Sequence, residues 1–184
     1  HDAEVDCIIC PTGTYAAVVA TTTCTDCVIG KYLTDAATAA LEHDAEVDCL
    51  VCGAGTYAAA PATTACTVCP TGTYLIDIAT VDTAHDALID CVNCVIGKYL
   101  TDAGTVAAAH DLEADCLVCP TGTYTAAVAT TTCTNCVIGK YLTDAGTVDT
   151  AHDAEVDCII CPTGTYAAVV ATTTCADCVI GKYL

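Results

Sequence analysis

Hydrophobic positions along this chain come in short runs, such as Ala16 to Ala20, closed off by Thr, Cys, Asp or Gly. None approaches the roughly 20 residues that a membrane-spanning helix needs. Leu142 to Asp157 (LTDAGTVDTAHDAEVD) keeps no 3.6-residue period, so it predicts a loop or short strand. Tyr15 to Thr23 (YAAVVATTT) is rich in Val and Thr and predicts a short strand leading into the next cysteine pair. The pattern therefore predicts short β-hairpins and loops with little or no helix.

A repeat governs the whole chain. Its 18 cysteines form nine Cys-x-x-Cys pairs, at Cys7, Cys24, Cys49, Cys66, Cys91, Cys116, Cys133, Cys158 and Cys175, spaced by 17 or 25 residues. Together the two spacers give 42 residues, and one short spacer is missing around Cys91. We parse repeat units at 1–48, 49–90, 116–157 and 158–184, with a single unit at 91–115 and the array continuing past the residues in hand.

Gly-x-Tyr follows every pair and uses all nine tyrosines. Four pairs continue as Pro-Thr-Gly-Thr-Tyr (from Pro11, Pro70, Pro120 and Pro162) and four as Val-Ile-Gly-Lys-Tyr (from Val28, Val95, Val137 and Val179). Proline presets a turn and glycine accepts positive φ, so the chain reverses after the second sulfur. The tyrosine ring is then expected to cover a disulfide. Each long interval ends in His-Asp-x-x-x-Asp-Cys, starting at His1, His43, His85, His110 and His152. These histidines read as packing or capping groups rather than metal ligands.

Composition explains why sulfur must do the folding. Ala (33), Thr (33) and Cys (18) fill much of the 184 positions, Val, Ile and Leu supply only 40, and Phe, Trp, Met, Ser, Gln and Arg are absent. So few large apolar side chains leave burial short of what folding needs, whereas cysteine lies in the disulfide-scaffold range. The net charge of -19 argues against nucleic acid and anionic lipid as partners. A basic start and apolar stretch of a signal peptide are not seen at the N-terminus, so the chain is expected to be mature or a fragment.

Nine end-to-end pairs in a chain this poor in core favour disulfides over zinc, although the spacing alone suits both. A bond within one Cys-x-x-Cys would be strained, so each pair should bond to a neighbour. The preferred scheme joins first to first and second to second across the short spacers: Cys7 to Cys24, Cys10 to Cys27, Cys49 to Cys66, Cys52 to Cys69, Cys116 to Cys133, Cys119 to Cys136, Cys158 to Cys175 and Cys161 to Cys178. It leaves Cys91 and Cys94 over. A ladder in which each pair shares one bond with the unit on either side avoids that leftover but frees a cysteine at both ends.

The stretch CIICPTGTYAAVVATTTCTDCVIGKY, Cys7 to Tyr32, resembles the ephrin-receptor-like (GCC2/GCC3) cysteine-rich repeat. The whole chain, with its Ala/Thr bias and two spacer lengths, is similar to the immobilization antigens that coat ciliates. The resemblance implies an extracellular, disulfide-bonded rod or coat and carries no catalytic residues.

We therefore expect a non-enzymatic small disulfide-rich repeat, an elongated rod of short hairpins, at the cell surface. Its expected role is subunit of an extracellular filament or coat that self-associates. A receptor-ectodomain stalk or binding module, and a metal-binding Cys-x-x-Cys protein, are the alternatives. No cofactor is expected, although the acidic group Asp144, Asp149, Asp153, Glu155 and Asp157 offers oxygen ligands to calcium without an EF-hand pattern. The triplets Thr21, Thr22, Thr23, then Thr130, Thr131, Thr132, and Thr172, Thr173, Thr174 are candidate O-glycan sites.

Overall fold

In the computed structural model of the chain, which describes residues 7–182, regular structure is limited to two-residue strands and three-residue 3-10 turns. The motif at His1 and the last tyrosine, Tyr183, lie outside the described residues. Among the described residues the strands form eight two-stranded sheets. Thr14–Tyr15 pairs antiparallel with Thr25–Asp26, and Lys31–Tyr32 with Leu50–Val51. The outgoing strand is thus the end of a Gly-x-Tyr motif, and the returning strand is the x-x of the next Cys-x-x-Cys. The strand expected across Tyr15 to Thr23 stops at Tyr15. Ala20, at φ +58°, bends the remaining spacer into a loop.

The turn before each outgoing strand follows from its residues. In Pro-Thr-Gly-Thr-Tyr, the Thr14 N–H and hydroxyl both donate to the Pro11 carbonyl, at 3.1 and 2.8 Å. Gly13 sits at φ +79°, the positive-φ third position of a type II turn. The long spacers fold into paired 3-10 turns instead, such as Asp149–Ala151 and Glu155–Asp157. The Asp157 carboxylate accepts the Ala154 N–H at 2.9 Å, and Asp48 and Asp90 do the same for Ala45 and Ala87. That local capture of backbone N–H is what the aspartate before each of these cysteines does.

The eight bridges run in series: Cys10–Cys24, Cys27–Cys49, Cys52–Cys66, Cys69–Cys91, Cys94–Cys116, Cys119–Cys133, Cys136–Cys158 and Cys161–Cys175. The second cysteine of each pair bonds to the first of the next, which replaces the first-to-first scheme and leaves no odd pair at Cys91 and Cys94. The cause is strand geometry. Each x-x strand pairs with the preceding Gly-x-Tyr strand rather than with another Cys-x-x-Cys, and a pair's first cysteine bonds back to the preceding pair while its second bonds forward to the next. Cys7 and Cys178 are free.

Contacts divide the chain into two units: His1–Cys69 with Leu75–Val92 and Thr105–Leu112, and Pro70–Tyr74 with Asn93–Gly104 and Glu113–Leu184. Within the first, the turn at Gly13 seats on the backbone of Ala62, Gly30 on Asp82 and Gly55 on Ala107; within the second, Gly97 seats on Asp149 and Gly122 on Ala171. Each of these five turns is therefore covered by a spacer two intervals further along. Neighbouring intervals join directly as well, for instance Gly30 N–H to Ala58 O at 2.8 Å and Leu33 N–H to Thr63 O at 3.1 Å.

Candidate functional site

The chemistry-bearing side chains converge at the junction between one cysteine interval and the next. Each junction closed by a long-spacer bridge holds a small apolar cluster. Cys27, Cys49 and Leu33 are buried together with Tyr15 packed against them, and Tyr57, Tyr74 and Tyr124 take the same place on the clusters around Leu75, Leu100 and Leu142. These four tyrosines thus cover cystines, as the spacing suggested for every repeat. The leucine after the tyrosine was not anticipated as core; its signal is plain in KYL and TYL, where leucine follows the aromatic ring directly.

A histidine clip completes the junction. His43 is buried, with Nδ1 2.8 Å from the Thr14 carbonyl oxygen and Nε2 2.9 Å from Asp35 Oδ1. His85 lies between Thr56 O and Asp77 Oδ1, both at 2.8 Å, and His152 between Thr123 O and Asp144 Oδ1, at 2.7 and 2.9 Å. A carbonyl and an ionised carboxylate can only accept, so satisfying both partners of His43 requires both of its ring nitrogens to donate, which favours its protonated form. The histidine's own carbonyl reaches the same strand: Ala16 N–H donates to His43 O at 2.8 Å and Thr125 N–H to His152 O at 2.8 Å. His110 is buried in the equivalent position, with its carbonyl accepting from Leu75 N–H.

Titration follows from that geometry. Burial alone pulls the His43 pKa down, but the hydrogen bonds to Thr14 O and Asp35 outweigh it and the net shift is upward. Asp35 is lowered, chiefly by the hydrogen bond from His43, and Asp144 likewise by that from His152. Asp77 is held down at about 2, first by the Thr80 hydroxyl and then by His85. These aspartates were not singled out as histidine partners. The signal was a constant spacing of eight residues from aspartate to histidine.

Four of the five acidic residues offered to calcium are occupied internally. Asp144 holds His152, Glu155 pairs with Lys140 at 2.9 Å, and Asp149 and Asp157 accept backbone N–H groups. Among the described residues no group of three or more His, Cys, Asp or Glu side chains is placed to hold a metal ion. Of the threonines, Thr21, Thr22, Thr23, Thr131, Thr132, Thr173 and Thr174 are exposed. Thr130 and Thr172 are half-buried and give their hydroxyls to Lys98 O and Val169 O.

No protein-family model and no curated protein matches the chain. Its class comes from its own geometry. Serially bridged hairpins with almost no apolar core are the architecture of disulfide-rich extracellular structural or binding modules, whose compartment keeps cystines oxidised. No described helix is long and apolar enough to cross a membrane.

Proposed function

We propose that this protein is a structural subunit of an extracellular filament or cell-surface coat and acts without catalysis. The observation that carries the reading is the use made of the reactive side chains. Sixteen cysteines are tied into bridges, and the histidines His43, His85 and His152 are spent as clips between intervals. Repetition of one junction down the sequence multiplies a mechanical element rather than building a single site. The likeness to ephrin-receptor-like repeats and to ciliate immobilization antigens agrees with a surface location. Exposed threonines at Thr22, Thr131 and Thr173 are available for glycans that would coat such a surface.

Expression through an oxidising secretory compartment, followed by light scattering and negative-stain microscopy, tests the reading. Ordered filaments or sheets are expected. A chain that stays monomeric at every concentration reached, and binds a soluble protein ligand instead, would favour the stalk reading.

A further inference from the structure

Cations are scarce in this chain, which has four lysines and no arginine in 184 residues. Three of the lysines are held in the same way. Lys31, Lys98 and Lys140 each open the outgoing strand of a long interval and give the ammonium to a glutamate 15 positions on, Glu46 at 3.0 Å, Glu113 at 3.3 Å and Glu155 at 2.9 Å. Lysine is ordinarily among the most exposed residues, yet these side chains are only 17, 18 and 24% exposed. The pairing is written into the repeat. Where the outgoing strand carries Thr73 in place of lysine, the glutamate position is taken by Leu88.

The peptide bond after each of these lysines is locked as well. Lys31 pairs with Val51, Lys98 with Val118 and Lys140 with Ile160 in two-stranded sheets. Around the first of these bonds, Gly30 N–H donates to Ala58 O at 2.8 Å, Lys31 N–H to Val28 O at 3.2 Å and Leu33 N–H to Thr63 O at 3.1 Å. Gly97, Lys98 and Leu100 repeat that set, and so do Gly139, Lys140 and Leu142. Each bond also lies inside a long-spacer loop, closed by Cys27–Cys49, Cys94–Cys116 or Cys136–Cys158.

A protease of the trypsin class asks two things of its substrate. Its specificity pocket carries a carboxylate that takes a free lysine or arginine side chain, and an extended peptide docks through free backbone groups, strand against strand. Here the ammonium already has a carboxylate and the N–H groups already donate, so cleavage has to wait for local opening. The backbone ladder is the larger barrier, since a lysine–glutamate pair at the surface contributes little.

We propose that the folded, oxidised chain withstands trypsin-class proteases, and that a cut at any of these three sites leaves it in one covalent piece. Hydrolysis after Lys31 adds water across the amide and leaves a carboxylate on Lys31 and an amine on Tyr32, with both segments still joined through Cys27–Cys49. Persistence among secreted proteases is thus a second role for the junction. The inference goes beyond the assembly reading and holds equally for a monomer and for a filament.

The test compares trypsin digestion of the oxidised chain with that of the reduced and alkylated chain, read by mass spectrometry at the bonds after Lys31, Lys98 and Lys140. All three should be cut in the reduced chain, and at least about a hundredfold more slowly in the oxidised one. Ala127→Lys supplies a lysine at an exposed position outside any strand, within the Cys119–Cys133 loop. With the eight bridges confirmed by peptide mapping, that new site should be cut at least about tenfold faster than Lys98 of the same molecule. Val128→Lys, at another exposed position of the loop, repeats the comparison should the first variant disturb the bridges. Prolonged digestion should give nicked chains that run as one band until reductant is added. Three rate outcomes would overturn the proposal: oxidised bonds cut within tenfold of the reduced rate, a reduced chain that resists equally, or an introduced lysine cut no faster than Lys98. Nicked fragments that part without reductant would overturn the tether. Filament formation is scored on separate samples, so failure here leaves the assembly reading in place.

Discussion

His43 is fixed between two oxygens that can only accept, and that makes it responsive to pH in a definite direction. Its folded pKa lies above the ordinary 6.5, so the clip stabilises fully below 6.5 and loses that contribution as pH rises through the folded value. Asp77 works the other way. Held at about 2 against an ordinary 3.8, it contributes above 3.8 and loses its contribution as pH falls toward 2. The unfolding temperature of the oxidised chain should therefore plateau between about pH 4 and 6.5 and decline on either side. His43→Ala should cost about 1–3 kcal/mol by stranding the Thr14 carbonyl, and should flatten the alkaline decline. An alkaline limb equally steep in the variant would show that other groups set it. The histidines were legible as architecture from their fixed places in the repeat. Their partners were not, because an aspartate eight residues upstream and a threonine carbonyl 29 residues upstream become neighbours only when two intervals fold together.

At the scale of the element, the Pro-Thr-Gly-Thr-Tyr turn could be written down from its residues, since proline fixes its own φ and glycine admits the positive φ the turn needs. What the turn packs against could not. Gly97 sits at φ +81° with the Asp149 carbonyl 2.2 Å from where a Cβ would stand, whereas Gly164, at φ +84°, faces open space. Gly164→Ala should cost about 1–2 kcal/mol from backbone conformation alone. Gly97→Ala should cost at least twice as much, because a backbone oxygen has no room to yield. Chemical denaturation of the two variants measures the difference, and equal losses would mean that the seat on Asp149 carries no weight. The short strands were misplaced in the sequence reading for a related reason. Val and Thr favour extended backbone, but past Ala16, whose N–H reaches His43 O, the spacer bends at Ala20, while Thr25–Asp26 has the outgoing strand as partner.

For the molecule as a whole, stability rests on cystine. Each bridge closes a loop of 14 or 22 residues in sequence separation, worth about 3 kcal/mol in the chain-entropy account. Cys27→Ala with Cys49→Ala should lower stability by about that amount and expose Leu33 and Tyr15, read as a rise in tyrosine accessibility. Reductant should abolish the hairpins, and a chelator should change nothing in the circular dichroism. The opposite pattern would assign the sulfurs to metal. Non-reducing peptide mapping should return Cys10 with Cys24 and Cys27 with Cys49, and a Cys10–Cys27 peptide would restore the first-to-first scheme.

The amino-acid order alone dictated the two spacer lengths, the turns, the small hairpins and the reliance on sulfur, because each is a property of composition or of a few adjacent residues. It left open which sulfur reaches which, which aspartate holds which histidine, and which carbonyl each glycine leans on. Those are encounters between distant parts of the chain, and repetition makes every cysteine look like every other. Only the folded arrangement, in which each x-x strand lies against the preceding Gly-x-Tyr strand and its two flanking cysteines bond in opposite directions along the chain, selects one partner for each.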